Sequence, residues 1–135
     1  MKVAESKFLI LHFFEPKNTV KVQWLPASKN MMPEDFQKQI LTEAEVFRKY
    51  SPAKVLADTQ NLFYTIVATE QEWHNQIIMP IFAEIQLKKL AVLMSKDVFA
   101  GFSVNQILDN DTAASYKTRY FNAEADAQKW LDETN

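Results

Sequence analysis

The chain has 135 residues, 47% hydrophobic and 24% charged, with a formal net charge of −2. That length suits one domain, here 1–135, able to bury roughly 68% of its unfolded surface, and the charge balance carries no nucleic-acid footprint. Cysteine is absent, which excludes disulfides, thiolate metal sites and a cysteine nucleophile. Gly101 is the only glycine, so neither a Walker loop nor a dinucleotide fingerprint can be built, and no cofactor is expected. No apolar run approaches the length of a membrane span, and Met1 to Lys7 lacks a signal-peptide pattern. A cytoplasmic, soluble protein is the expectation.

Phe8 to Phe14 is almost continuously apolar and aromatic, which predicts a strand. Glu15-Pro-Lys-Asn18 is a turn in which Pro16 presets φ and Asn18 tolerates the left-handed region. From Thr19 to Leu25 the pattern alternates, with Val20, Val22 and Trp24 on one face and Lys21 and Gln23 on the other. The two strands predict an antiparallel hairpin at a sheet edge, and an aromatic edge is prone to pairing, so a homodimer is expected.

Pro33-Glu-Asp35 reads as a helix start, with proline in the first turn and acids at the positive dipole end. Phe36, Ile40, Ala44 and Phe47, with Leu41 alongside, form its inward stripe, and Ser51-Pro52 stops it. Lys54 to Thr59 follows as a buried central strand. Thr69 and Glu72 match a capping box opening a second helix, on which Trp73, Ile77, Ile81 and Ile85 recur. Pro80 lies inside that helix and predicts a bend near Gln76. Leu90 to Met94 is a second apolar strand. A helical turn from Val98 to Phe102 and a helix from Ser103 to about Leu108 come next, then a strand over Tyr116 to Phe121. In the last helix Asn122 is the expected cap and Ala123, Ala127, Trp130 and Leu131 the stripe. The reading is α/β with a mixed sheet, in the order β-β-α-β-α-β-α-β-α, arranged in two or three layers.

Candidate chemistry is sparse. His12 and His74 are the only histidines and show no metal-ligand spacing, so no metal site is expected. Asp58 and Asp97 close two strands that should be parallel neighbours; they could pair for acid–base work, yet no nucleophile accompanies them. Asp58, Thr59, Ser95, Lys96 and Asp97 should gather at the carboxyl edge of the sheet, where α/β proteins meet ligands and partners. Phe63, Tyr64, Phe99 and Phe102 could line an apolar pocket, although core or lid roles explain such residues more simply.

Two segments, Lys88-Lys-Leu-Ala-Val-Leu-Met-Ser-Lys-Asp97 and Tyr116-Lys-Thr-Arg-Tyr-Phe-Asn-Ala-Glu-Ala-Asp-Ala-Gln-Lys-Trp-Leu131, resemble the SpoIIAA-like group of STAS/SEC14-type domains. Val55-Leu-Ala-Asp-Thr59, Gln71-Glu-Trp73 and Met79-Pro80 resemble its Bacteroidetes-type branch, and the likeness runs from about Trp24 to the end. The resemblance implies an α/β fold and a non-enzymatic regulatory or protein-interaction module with a protein partner. Its alternative implication is a SEC14-like binder of a small apolar ligand or lipid. The group's phosphorylated serine stands in an Asp-Ser-Ser-Gly-like motif; the matching Phe63 to Thr69 has none, so no residue here inherits that role. At Gln86 a glycine would be expected after the second helix, because a left-handed turn there costs more without one. The binding residues expected are therefore Asp58, Thr59, Ser95, Lys96, Asp97, Phe63, Tyr64 and Phe102. A large pocket between hairpin and second helix would favour the ligand binder.

Overall fold

A computed structural model of the chain describes residues 1–95, Val98 and 115–133. Six strands form one mixed sheet in chain order. β1 (Lys2–Glu5), β2 (Leu9–Phe14) and β3 (Thr19–Trp24) run antiparallel to one another. β4 (Lys54–Asp58), β5 (Lys89–Leu93) and β6 (Lys117–Phe121) continue from β3 in parallel. Helix α1 (Pro33–Tyr50) connects β3 to β4, and α2 (Ala68–Glu84) connects β4 to β5. Both join adjacent parallel strands, and a right-handed crossover sends each to the same side. They accordingly share one core with Leu11, Val22, Trp24 and Val55. Helix α3 (Glu124–Asp132) follows β6 and packs on the opposite face, where Ala127, Trp130 and Leu131 meet Leu56, Ala91 and Leu93. The architecture is thus a three-layer α/β sandwich.

Local chemistry explains the ends of the elements. The β2–β3 turn is a short 3-10 helix over Glu15–Lys17, and Asn18 takes φ 47°, as its tolerance of that region predicts. Pro33 opens α1, and Asp35 accepts a hydrogen bond from the Met32 N–H at 2.9 Å. Ser51 leaves α1 in a left-handed conformation, its N–H donating to the Phe47 carbonyl. At the end of α2 the N–H of Gln86 donates to Ala83 and that of Leu87 to Phe82, a Schellman closure over two buried apolar side chains. Gln86 sits there at φ 57°, where glycine would be at ease.

Several sequence expectations are corrected. The Phe8–Phe14 hairpin is not the sheet edge: β1 pairs with β2, and the outermost strand is a four-residue segment with charged ends and an irregular register. A short, charged, irregular edge discourages pairing, so the reason given for a homodimer no longer applies. Thr69 does not cap α2. The helix starts two residues earlier, at Ala68, and Glu70 accepts from the Val67 N–H at 3.2 Å. The contact that opens the helix runs from backbone to carboxylate and involves no hydroxyl. Asn122 likewise does not cap α3; Ala123 occupies that place without a side-chain bond. Leu41 points outward at 49% exposure, and the deepest positions on α2 are Ile78, Ile81 and Phe82, with Trp73, Ile77 and Ile85 beside them. The helical segments expected from Val98 to Leu108 lie outside the described residues, apart from Val98 itself.

Candidate functional site

Between the sheet and helices α1 and α2 lies a pocket of about 420 Å³. Its floor is Val22 and Trp24 of β3, Val55 and Ala57 of β4, Leu90 and Val92 of β5, and Tyr120 of β6. These are alternate residues on each strand, so one face of the sheet supplies them all. Helix α1 contributes Phe36, Ile40, Glu43 and Phe47, which recur at three- and four-residue spacing along one stripe. Helix α2 contributes Gln71, His74, Asn75, Ile78 and Phe82, and the β4–α2 loop adds Thr59, Leu62 and Ile66.

Glu43 is the exceptional member of this wall. It occupies a core position of α1 and is only 6% exposed. No hydrogen bond or ion pair is formed by its carboxyl group with any described residue. Burial alone pushes that group up to about 8, so it is largely neutral at neutral pH. His74 faces the same pocket from α2, and burial pushes its imidazole down, with a smaller opposing effect from its contact with Asn75. An apolar chamber thus carries one buried carboxyl with unused hydrogen-bonding capacity. Sequence reasoning missed Glu43, although the signal existed: a glutamate falls on the 36–40–43–47 stripe where an apolar residue belongs.

The residues singled out from sequence separate. Thr59 lines the pocket, and its hydroxyl and N–H both donate to the Leu93 carbonyl, at 2.9 and 2.7 Å. That pair of bonds ties the carboxyl ends of the parallel neighbours β4 and β5 together. Asp58 turns to the other face of the sheet, is buried, and accepts from the Gln60 N–H at 3.1 Å. Burial raises its pKa, and that hydrogen bond and Lys21 oppose the rise. Ser95 accepts from the Val98 N–H at 3.4 Å. Phe63 is 54% exposed and Tyr64 stacks on Phe36 at 5.3 Å; their neighbours Leu62 and Ile66 line the pocket instead. The Tyr64 hydroxyl donates to Glu70, fastening the loop to the start of α2, and burial together with that carboxylate pushes the phenol up to about 12. Lys96, Asp97, Phe99 and Phe102 lie outside the described residues.

The two histidines do not converge. His12 is on the β2 face turned away from α1, with a buried Nδ1 that has no hydrogen-bond partner, while His74 is on α2. Burial, reinforced by the N-terminus and Lys21, pushes the His12 imidazole down. Among the described residues no group of three or more His, Asp or Glu side chains could hold a metal ion, and no helix is long and apolar enough to cross a membrane. Compared with protein-family models, curated proteins and solved structures, the chain matches none.

Proposed function

We propose that the chain is a non-enzymatic binding protein for a small, largely apolar molecule held between the sheet and helices α1 and α2. The observation that carries this reading is the pocket of about 420 Å³, apolar on most of its wall and supplied with a few polar groups. Small-molecule sites commonly measure about 300–1,000 Å³ and have this mixture of lining. The expected alternative of a SEC14-like ligand binder is the one this geometry supports. Replacing Ala57 with Phe would fill the chamber from the floor. The parent protein should take up a neutral apolar dye such as Nile red, and Ala57→Phe should lose most of that binding while remaining folded by circular dichroism. Equal dye binding by both proteins, or none by the parent, sinks the proposal.

A second reading is a regulatory or protein-interaction module of the SpoIIAA-like, STAS type. The residue resemblance from about Trp24 onward supports it, and the α/β class of the fold is compatible with it. On this reading the carboxyl edge around Asp58, Thr59 and Ser95 meets a protein partner, to which the neighbouring chain segment Lys96-Asp97 is expected to contribute. Affinity capture from the native host with Asp58→Ala and Lys96→Ala as controls tests it: a partner retained equally by all three proteins excludes the edge.

A further inference from the structure

Resting on the reading of the pocket as a small-molecule site, we infer that its ligand carries a protonated amine, received by the Glu43 carboxylate, on an apolar body held against aromatic walls. Three observations lead there. First, Glu43 is buried on the pocket wall with no protein partner for its carboxyl. A polar ligand group can pair with that carboxyl where it opens onto the chamber, whereas a wholly apolar ligand would cover it and leave it unpaired, which is unfavourable. Second, no lysine or arginine is among the described residues of the wall. An acidic ligand would meet Glu43 with no countercharge, because His74 is held toward its neutral form by burial. Third, Trp24, Phe36, Phe47 and Phe82 present aromatic rings to the same chamber, and aromatic faces attract cations as well as apolar bodies.

The proton balance follows from the state of Glu43. The free protein holds this carboxyl neutral below about pH 8. When an ammonium group arrives from water, a carboxylate is the better partner, so the Glu43 proton leaves to solvent and an ion pair remains. Binding below pH 8 therefore releases up to one proton per ligand, and apparent affinity rises with pH toward that value. Among the described residues, the other titratable groups facing the pocket are His74 on α2 and Tyr120 on β6.

The test uses the full chain and three probes with one alkyl body: octylamine, octanol and octanoate, measured by titration calorimetry at pH 7 and by displacement of Nile red. Octylamine should bind roughly tenfold or more tightly than either of the others, since a close buried charge pair and aromatic contacts are worth at least that factor. Glu43→Gln, which keeps the shape and removes the charge, should bring the amine-to-alcohol ratio close to one. Titrations of the parent in phosphate and in Tris should report proton release with the amine and none with the alcohol. That measurement decides the matter even if Glu43→Gln does not fold. If the alcohol or the acid binds as well as the amine, or no proton is released, the amine inference falls while the pocket reading stands. If none of the three probes and no dye binds, the pocket reading falls and takes the inference with it.

Discussion

The two faces of the sheet solve the same packing problem in different ways. Opposite α1 and α2, helix α3 packs directly on the sheet: Leu93, Ala91, Ala127 and Leu131 are all fully buried, and a smaller pocket of about 160 Å³ opens beside Leu56, Glu124 and Gln128. The charged side chains taken inside on that face, Asp58 and Lys89, have partners, although the buried His12 Nδ1 has none. The Lys89 ammonium donates to the carbonyls of Trp130 and Glu133 at 2.7 and 2.8 Å and lies over the Trp130 ring. A cation at a helix C-terminus satisfies carbonyls that the helix leaves over and complements its dipole. Across the sheet, α1 and α2 leave a chamber, and the charged residue taken inside there, Glu43, has no such partner. A lysine satisfied by backbone carbonyls is architecture. A glutamate that lines a cavity without a protein partner, its pKa shifted by burial, is a candidate binding group.

The contrast breaks most visibly with large-to-small substitutions. Leu131→Ala on the closed face should cost about 3–5 kcal/mol, because its neighbours cannot collapse into the space. Ile78→Ala, buried on the wall of the existing chamber, should cost about 2 kcal/mol, since one side of it already faces open space. Denaturant unfolding of both variants checks the order, and equal losses would mean that the chamber is closed in solution.

Next in size is a gain. Glu43→Met replaces the unpartnered carboxyl with an apolar chain of similar reach and should raise stability by about 1–3 kcal/mol at pH 8, because a polar group is no longer held in a largely apolar wall. The same variant should lose octylamine binding. A destabilised Glu43→Met would show that the carboxyl has a stabilising partner.

A smaller and more diagnostic effect is the pH slope. Glu43 titrates at 4.5 unfolded and at about 8 folded, so within this interval the folded state holds the proton more tightly. Its contribution is fully present below 4.5 and declines as pH rises, by at most about 1.4 kcal/mol per unit. His74 and His12, whose pKa values are lowered on folding, slope the other way near their ordinary range. They are common to parent and variant, so the difference isolates Glu43. The stability of Glu43→Gln relative to the parent should improve steadily from pH 5 to 8, and a constant difference rules the titration out.

The smallest effect concerns the backbone. Gln86→Gly relieves the left-handed conformation at the end of α2 and should stabilise the protein by about 0.5–1 kcal/mol. A loss instead would indicate that the Gln86 side chain contributes contacts worth more than the strain.

Much of the framework was legible because it depends on local rules. Alternation placed β3 with Val20, Val22 and Trp24 inward, and the apolar runs at Val55 and Leu90 placed two neighbouring parallel strands. Proline and paired acids placed the start of α1 at Pro33. β1 was not legible, because Lys2-Val-Ala-Glu5 is too short to show a period and is a strand only through its bonds to β2. Tertiary packing alone decided the candidate site. Helical spacing sets Glu43 on the inward stripe, but whether an inward carboxyl reaches water, a cation or a cavity depends on how α2 lies against α1. Likewise, adjacency along the chain set Asp58 beside Thr59, while the pleat turned one toward α3 and the other into the chamber. A sequence states which groups are present and with what period; the dielectric and the partners of each group are properties of the assembled layers.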